Sequence, residues 1–278
     1  MDNVRDHYNR LADYEWGRLV QDPYHGLEFR GTMAALEEHL PGQGRVLDAG
    51  GGPGRYALEL CRRGYTVVLL DVSEHCVELA REKFGAEPGD VSSRLERAEV
   101  GDICDLSRFS GESFDAVLCL GGPLSHIIEA SDRERAAQEL VRVARPGAPI
   151  FISVMGYYAV LRTVLTRAPE DLLKPDRAEL FFTSGDHVYT GGFCDCHFFR
   201  PEELQALAEE AGMETIEIRA LEGISSNLQE ATNALAEHDD GRWERWLQIL
   251  DHTQHDPAVV AMSEHILYVG RTVHAWRP

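Results

Sequence analysis

The chain has 278 residues, 44% of them hydrophobic, which is enough to bury one large core or a core with a cap. Its 47 acidic and 27 basic residues give a formal net charge of −20, which argues against a nucleic-acid partner because phosphate binding needs a basic face. No apolar run approaches the ~18 residues of a membrane-spanning helix, and no basic segment followed by an apolar one marks an export signal. We therefore expect a cytoplasmic protein with no nucleic-acid or membrane partner, whose six cysteines are reduced thiols.

Residues 1–44 have partial helical spacing of apolar and aromatic side chains, and the pattern is broken near Pro23. Beyond the break, a second helix is predicted over residues 32–40. A Pro-Gly-Gln-Gly linker then leads into the first strand. We expect residues 1–44 to form a helical cap segment and residues 45–278 to form the main α/β domain.

Residues 45–73 predict a strand, a glycine-rich turn, a helix and a second strand. Val46 and Leu47 form a short apolar run, and residues 67–70 are four apolar residues without alternation. Such a run is typical of a strand buried on both faces of a parallel sheet. The intervening helix ends at Gly64. This βαβ unit places the glycine turn at the carboxyl end of its first strand, where open α/β sheets bind ligands.

The glycine turn has the sequence D-A-G-G-G-P-G from Asp48 to Gly54. Gly50 and Gly52 let the chain turn sharply and leave no Cβ between backbone and ligand, and Gly54 lets the next helix pack closely. Asp71 follows about 20 residues later, where a carboxylate can accept both hydroxyls of a ribose. The pattern predicts a site for a ligand that contains adenosine.

The glycine spacing distinguishes two kinds of adenosine ligand. A dinucleotide fingerprint requires G-x-G-x-x-G, but from Gly50 that pattern reaches Arg55, so the third glycine is missing. The carboxylate of Asp48 would repel a pyrophosphate and could help to hold an ammonium or sulfonium group. The D-x-G-x-G-x-G pattern, with Asp71 after it, resembles the first motif of the class I S-adenosylmethionine-dependent methyltransferases. The resemblance implies S-adenosyl-L-methionine as the cofactor, with Asp48, Gly50, Gly52 and Gly54 on its methionine side.

The resemblance also implies further cofactor contacts. The third predicted strand leads into Asp102 and Ile103. At this place the family has an acid that accepts a hydrogen bond from the adenine amino group, followed by a residue that packs on the ring. A turn aspartate is the alternative for Asp102. Val72, after the second strand, and Leu120, at the end of a buried strand predicted over 114–120, are assigned to the same site.

His126 follows the fourth strand at the mouth of the expected site. Family members that methylate DNA bases carry an Asn/Asp-Pro-Pro-aromatic motif here, and the Gly-Gly-Pro-Leu run at 121–124 argues against that activity. Because an unshifted imidazole titrates near neutrality, His126 is a candidate general base. A pocket histidine with satisfied hydrogen bonds is the alternative. A helix over 132–143, then R-P-G and an apolar strand over 149–154, extend the resemblance to residue 155.

The last third of the chain predicts two strands, over 213–221 and 265–272, that resemble the antiparallel end of a methyltransferase sheet. The segments at about 156–199 and 222–262 are too long for plain connections and are expected to be cap insertions over the site. The predicted fold is a doubly wound, mostly parallel seven-stranded α/β sheet with an antiparallel end.

The N-terminal segment and the first insertion supply the remaining candidates. In the family, a leading segment often folds over the cofactor, with ordinary helix packing as the alternative for each residue. The candidates there are Tyr8, Tyr14, Trp16 and Arg30. The candidates to contact the substrate are Tyr157, His187, Tyr189 and His197. The Cys-Asp-Cys-His run at 194–197 lacks the paired spacing of a zinc site and fits one face of a strand, so no metal is expected.

The leading hypothesis is a methyltransferase that acts on a small molecule. An acceptor oxygen, nitrogen or sulfur would displace the sulfonium methyl group in line, which mainly requires positioning and exclusion of water. One rival is a regulatory protein that binds S-adenosylmethionine or S-adenosylhomocysteine without catalysis. A less favoured rival is an NAD-dependent dehydrogenase. A monomer and a homodimer both remain open.

Overall fold

The computed structural model describes residues 2–188, 193–238 and 240–273. Within these ranges, the strands are β1 (Arg45–Ala49), β2 (Thr66–Asp71), β3 (Leu95–Val100), β4 (Ala116–Cys119), β5 (Pro149–Met155), β6 (Asp186–His187), β7 (Cys196–His197), β8 (Met213–Ala220) and β9 (His265–Thr272).

Helices precede, connect and cover these strands. Within the same ranges they are α1 (Asp2–Arg18), α2 (His25–His39), α3 (Arg55–Arg62), α4 (Glu74–Gly85), α5 (Gly89–Ser92), α6 (Ala130–Val143), α7 (Tyr157–Arg167), α8 (Pro175–Ser184), α9 (Pro201–Glu210), α10 (Gln229–Ala236), α11 (Arg242–Thr253) and α12 (Pro257–Met262). None of these described helices has the length and apolar character needed to cross a bilayer.

In the described chain, seven strands form one sheet in the order β3-β2-β1-β4-β5-β9-β8. The neighbours from β3 to β5 pair in parallel, whereas β9 runs antiparallel to both β5 and β8. The predicted doubly wound sheet with an antiparallel end is confirmed. Because β2 and β4 flank β1 on opposite sides, the connections diverge at the carboxyl end of β1 and open a crevice there.

Successive residues of the parallel strands face opposite hydrophobic cores. Leu47 and Val68 belong to the core that α6 and α9 cover, whereas Val46 and Val67 belong to the core beneath α2, α3 and α4. All four side chains are fully buried. The apolar runs without alternation therefore follow from coverage of the sheet on both faces.

Some elements differ from the sequence prediction. Helix α2 begins at His25 rather than at residue 32, and Asp22 Oδ1 accepts the N–H of His25, its first residue, at 2.9 Å. Strand β4 is shorter than 114–120, because Phe114 forms only an isolated bridge with Ala144. Helices α5 and α12 form where no helix was predicted.

The first insertion contains α7, a 3₁₀ turn at Pro169–Leu173, α8 and a ribbon of β6 and β7. The strand expected around Cys194 and Phe198 is limited to Cys196–His197, which pairs with Asp186–His187. The insertion therefore has its own secondary structure, as its length predicted.

Candidate functional site

The glycine turn folds back over the carboxyl end of β1. The N–H groups of Gly50 and Gly51 both donate to the carbonyl of Leu70, at 2.7 and 3.1 Å. Gly50 has φ +80°, and a Cβ there would lie 2.3 Å from Cγ of Pro123. Only glycine fits between the end of β2 and the loop after β4.

Asp71 is held in one orientation at the end of β2. Its Oδ2 accepts the N–H of Gly52 at 2.8 Å, and its Oδ1 accepts the N–H of Ser73 at 2.9 Å. Burial raises the pKa of Asp71 to about 6, although the two backbone N–H groups lower it in part. Each carboxylate oxygen has lone pairs beyond those used here, so the fixed carboxylate can accept further hydrogen bonds from a ligand.

Asp48 lies beneath the turn rather than on the crevice. It is fully buried, and a Cβ on Gly51 would lie 2.5 Å from its Oδ2. Neither carboxylate oxygen has a hydrogen-bond partner among the described residues. Burial, and then the charge of Asp71, raise the pKa of Asp48 to about 7. Any influence of Asp48 on a ligand passes through the backbone above it.

Gly54 begins α3 rather than facing the crevice. It has φ +86°, and a Cβ there would lie 3.1 Å from Cδ1 of Leu69 and 3.4 Å from the Ala80 side chain. The absence of a side chain at Gly54 lets α3 pack closely against β2 and α4.

The crevice forms a cavity that is partly open to solvent. Eight residues that the sequence assigned to the site line this cavity: Tyr8, Gly50, Gly52, Asp71, Val72, Ile103, Leu120 and His126.

The structure does not bring the Asp102 side chain to the cavity. Gly101 and Ile103 line the cavity, but Asp102 Oδ1 accepts the N–H of Cys104 at 2.8 Å. The Asp102 side chain lines a separate surface groove with Arg135. Its geometry is that of the turn aspartate considered as the alternative.

Helix α1 forms one wall of the cavity. Its cavity-lining residues are Val4, Tyr8, Glu15 and Arg18. They repeat at spacings of three, four and seven, which place them on one face of the helix. Sequence reasoning identified Tyr8 but missed Glu15 and Arg18, because the helical spacing identifies them only once the face that meets the cavity is known.

The other N-terminal candidates lie away from the cavity. Tyr14 is 48% exposed. Arg30 forms an exposed bidentate ion pair with Asp251, with N–O distances of 2.7 and 2.6 Å. Trp16 supports the wall indirectly, because the cavity-lining Arg55 stacks 3.8 Å from its ring and donates to its carbonyl.

A buried ionic cluster anchors the end of α1. Arg18 donates to both oxygens of Glu28, at 2.5 and 3.2 Å, and to Glu15 at 3.0 Å. His265 Nδ1 lies 2.6 Å from Glu222 and 3.6 Å from Glu28. Burial alone would raise the pKa of Glu28, but the charges of Arg18 and His265 lower it to about 2.

The pKa of His265, the histidine of this cluster, is shifted in the opposite direction. Burial alone would lower the pKa of His265, but Glu28 and Glu222 raise it to about 9. Ligand atoms of Glu28, Glu222 and His265 lie close enough to hold a metal ion. The cations of Arg18 and His265 already neutralise these carboxylates, so the cluster is an ion-pair network.

His126 lies on a 3₁₀ turn, Pro123–His126, after β4. Its Nε2 is 2.7 Å from Tyr8 Oη, and its Nδ1 is 2.9 Å from the carbonyl oxygen of Asp195. Burial lowers the pKa of His126 to about 4, rather than leaving it near neutrality as the sequence suggested. The imidazole is therefore neutral at physiological pH.

The predicted substrate contacts in the first insertion do not line the cavity. Tyr157 is buried, with its ring stacked on Phe181 at 5.5 Å between centroids. His197 is 2% exposed and lies between Asp186 and Glu203, at 2.6 and 2.7 Å.

The other predicted substrate contacts in the first insertion are His187 and Tyr189. His187 is partly buried, and its Nε2 has no partner among the described residues. Tyr189 lies outside the described residues. Phe193, which the sequence did not single out, is the insertion residue whose ring lies near His126, 5.7 Å away between centroids.

Comparison with known proteins identifies the family. The model of a methyltransferase domain matches residues 46–147. The ubiquinone biosynthesis O-methyltransferase of Hahella chejuensis is 30% identical over 195 residues, which cover 70% of this chain and 71% of that enzyme. The chain belongs to the class I S-adenosylmethionine-dependent methyltransferase family.

Two further comparisons show how far this methyltransferase resembles others. The glycine/sarcosine N-methyltransferase of Aphanothece halophytica is 30% identical over 129 residues, so the chain matches 46% of that enzyme's length. An S-adenosylmethionine-dependent methyltransferase structure from Methanosarcina mazei has a TM-score of 0.58 at 19% identity. The match covers 86% of this chain and 97% of that one. This structural likeness supports the fold.

The cavity of this methyltransferase fits the family's cofactor. A Cβ at Gly52 would meet no described atom within 4 Å, so the backbone of the turn lies open to a ligand. Asp71 presents a fixed carboxylate with free lone pairs, and Ile103 and Leu120 supply apolar surface. The set combines one carboxylate that can accept hydroxyl groups, a bare backbone and apolar walls, which suit an adenosine with a charged tail.

Proposed function

We propose that this protein transfers the methyl group of S-adenosylmethionine to an oxygen, nitrogen or sulfur atom of a small molecule by in-line displacement. The observation that carries the proposal is the Asp71 carboxylate, fixed by the N–H groups of Gly52 and Ser73 beside an open glycine turn. Family membership supports the same reaction. When bound, S-adenosylmethionine supplies an electrophilic methyl group on a positively charged sulfur.

In this proposal, cofactor-binding residues lie along the strand ends. Asp71 accepts the ribose hydroxyls, and Val72 and Ile103 pack against the adenine ring. Gly50 and Gly52 place bare backbone beside the methionine portion, and Leu120 closes that end. These assignments rest on the cavity that the residues line together. Asp48, beneath the turn, supports the position of the backbone.

The acceptor side is assigned to α1 and the loop after β4. Tyr8 and His126 line the cavity, and Phe193 of the insertion lies beside His126. We propose that residues 1–44 and the first insertion act as a cap that excludes water from this side. The bounded cavity favours a small molecule over a polymer as the acceptor.

We extend the proposal to the cellular setting. All six cysteines are free thiols, which fits a reducing compartment such as the cytoplasm. The net charge of −20 disfavours a nucleic-acid acceptor. A monomer and a homodimer are equally compatible with a cavity built from one chain.

Titration calorimetry with S-adenosylmethionine, S-adenosylhomocysteine and NAD tests the cofactor assignment. We expect the two sulfur nucleosides to bind and NAD not to bind. A transfer assay with tritiated methyl donor and small phenols, amines and thiols then tests catalysis. Nucleoside binding with no transfer would support the non-catalytic regulatory protein, and NAD binding alone would support the dehydrogenase.

A further inference from the structure

Tyr8 and His126 form a hydrogen-bonded pair inside the cavity. Tyr8 Oη lies 2.7 Å from His126 Nε2, and both side chains line the same space. The rings meet edge to face with centroids 5.2 Å apart. The two residues are 118 positions apart in the chain, so the pair joins the N-terminal helix to the strand-end loop.

The direction of the hydrogen bond follows from the other side of the imidazole. His126 Nδ1 lies 2.9 Å from the carbonyl oxygen of Asp195, which can only accept, so Nδ1 carries the proton. The sulfur of Cys194 lies 3.5 Å from the same nitrogen. In a neutral imidazole Nε2 is then the acceptor, and the Tyr8 hydroxyl donates to it. This bond occupies the lone pair of Nε2, so His126 reaches the cavity through Tyr8.

The surroundings keep both members of the pair uncharged at rest. Burial raises the pKa of Tyr8 well above its ordinary value, and Glu15 adds to this effect. Burial lowers the pKa of His126 to about 4, and the nearby His7 acts in the same direction. The resting pair is therefore a phenol that donates to a neutral imidazole.

We propose that Tyr8 is a catalytic residue that passes the proton of an acceptor hydroxyl to His126, so that the acceptor is an alcohol or a phenol. This inference rests on the proposed methyl transfer and deepens it. Tyr8 Oη accepts the acceptor's hydroxyl proton while its own proton moves to His126 Nε2.

The step balances in atoms and charge. A bond forms between the acceptor oxygen and the methyl carbon, and the bond between that carbon and sulfur breaks with its electron pair left on sulfur. The acceptor proton goes to Tyr8 Oη, and the Tyr8 proton goes to His126 Nε2. One positive charge leaves sulfur and one appears on the imidazole, which later gives its proton to water.

The same pair discriminates against aliphatic amines. An alcohol oxygen that gains a methyl group becomes strongly acidic, so it gives its proton even to a weakly basic imidazole. An alkylammonium, whose pKa is about 10 as in lysine, holds its proton too tightly for such a base. The pair therefore suits hydroxyl acceptors and cannot prepare an ammonium group for attack.

Nitrogen NMR of the histidines tests the pair without any acceptor. The S-adenosylhomocysteine complex, labelled with ¹⁵N-histidine, should show His126 protonated at Nδ1 with a hydrogen-bonded Nε2. Tyr8→Phe should shift the Nε2 resonance and leave the tautomer unchanged. The control is Tyr65→Phe, which removes a tyrosine hydroxyl that donates to the Pro41 carbonyl at 2.6 Å, and it should leave His126 unchanged. A wild-type His126 protonated at Nε2 overturns the proposal, because Tyr8 would then accept and could not pass its proton on.

Kinetics test the proton transfer itself. The probes are benzyl alcohol and 2-naphthol beside benzylamine and 2-(aminomethyl)naphthalene, with tritiated methyl donor. Transfer should favour the hydroxyl compounds, and Tyr8→Phe should lower kcat about 10²-fold or more, the scale of general acid–base catalysis. The Kd of S-adenosylhomocysteine should stay within about twofold, and Tyr65→Phe should match the wild type.

Two kinetic results overturn the inference: unchanged kcat in Tyr8→Phe, or faster transfer to the amines than to the hydroxyl compounds. Loss of the solvent deuterium isotope effect in Tyr8→Phe would support it, because a merely structural role would not change that effect. Failure of the proposed function has a different signature, namely that the wild type does not bind S-adenosylhomocysteine.

Discussion

The two walls of the cavity are built in different ways. The strand-end wall consists of turns after β1, β2 and β4, held by contacts such as those from Gly50 and Gly51 to the Leu70 carbonyl. The capping wall depends on side chains, and its Tyr8 contacts His126, on the turn after β4, across 118 positions of the chain. A wall made by local backbone geometry leaves a motif in the sequence. A wall made by distant side chains has no such motif.

In the strand-end wall, a substitution should destabilise the protein most where the backbone of the glycine turn meets the loop after β4. Gly50→Ala adds a Cβ at 2.3 Å from Pro123 at φ +80°, so we expect it to lower the free energy of unfolding by about 2–5 kcal/mol. Gly52→Ala is the matched control. It has φ +54° but no described atom within 4 Å, so about 1–2 kcal/mol is expected. Urea denaturation measures both, and equal losses would contradict the close contact with Pro123.

The fixed carboxylate should dominate cofactor affinity on the same wall. Asp71→Ala should weaken S-adenosylhomocysteine binding by about 1.5–3 kcal/mol, the scale of a hydrogen bond to a charged group. Asp102→Asn is the comparison, because Asp102 faces a different groove and its replacement should change Kd less than about twofold. Titration calorimetry measures both constants. A larger effect at Asp102 would restore its predicted contact with adenine.

The buried ionic cluster that anchors the capping wall should make the stability of the protein depend on pH. His265 has its folded pKa raised to about 9, so its contribution is fully present below pH 6.5 and is lost as pH rises through 9. Glu28 has its folded pKa lowered to about 2, so its contribution is present above pH 4.5 and is lost as pH falls through 2.

Unfolding measured between pH 6.5 and 9.5 should therefore show a loss on the order of 2 kcal/mol from this cluster. His265→Gln should be less stable at pH 6 and should flatten the decline. If the free energy of unfolding of His265→Gln declined as steeply with pH as that of the wild type, the decline would not come from His265.

The smallest expected effect is the pH dependence of cofactor binding. Asp71 has its pKa raised to about 6 in the free protein, and a ribose prefers the ionised carboxylate. The affinity for S-adenosylhomocysteine should therefore be constant above pH 7 and fall by about tenfold at pH 5. Asp71→Asn should remove this dependence, whereas Asp48→Asn should retain it. A flat profile in the wild type would show that Asp71 does not titrate in binding.

The sequence predicted the strands and the glycine turn of the strand-end wall because their signals are local. Unbroken apolar runs such as residues 67–70 revealed strands covered on both faces, and the glycine pattern located the turn. Asp102 was assigned a contact through the family resemblance, but the Cys104 N–H captures its carboxylate. Its neighbours Gly101 and Ile103 line the cavity, whereas Asp102 does not. The sequence pattern does not show which of these adjacent loop residues faces the cavity.

The capping wall was predicted only in outline. Tyr14 was assigned in place of Glu15 because the sequence gives the helical period of α1 but not which face meets the cavity. His197 was assigned to the substrate, yet both its nitrogens are engaged by Asp186 and Glu203. Burial lowers the pKa of His126, whose hydrogen-bond partners Tyr8 and Asp195 lie in distant segments. These properties arise only when distant segments pack together.

A crystal structure of the complex with S-adenosylhomocysteine tests the central claim most directly. We expect the ribose hydroxyls within hydrogen-bond distance of Asp71, the adenine ring between Val72 and Ile103, and the sulfur facing Tyr8 and His126. A nucleoside bound outside this cavity, or a phosphate group seated on the turn from Gly50 to Gly54, would contradict the account.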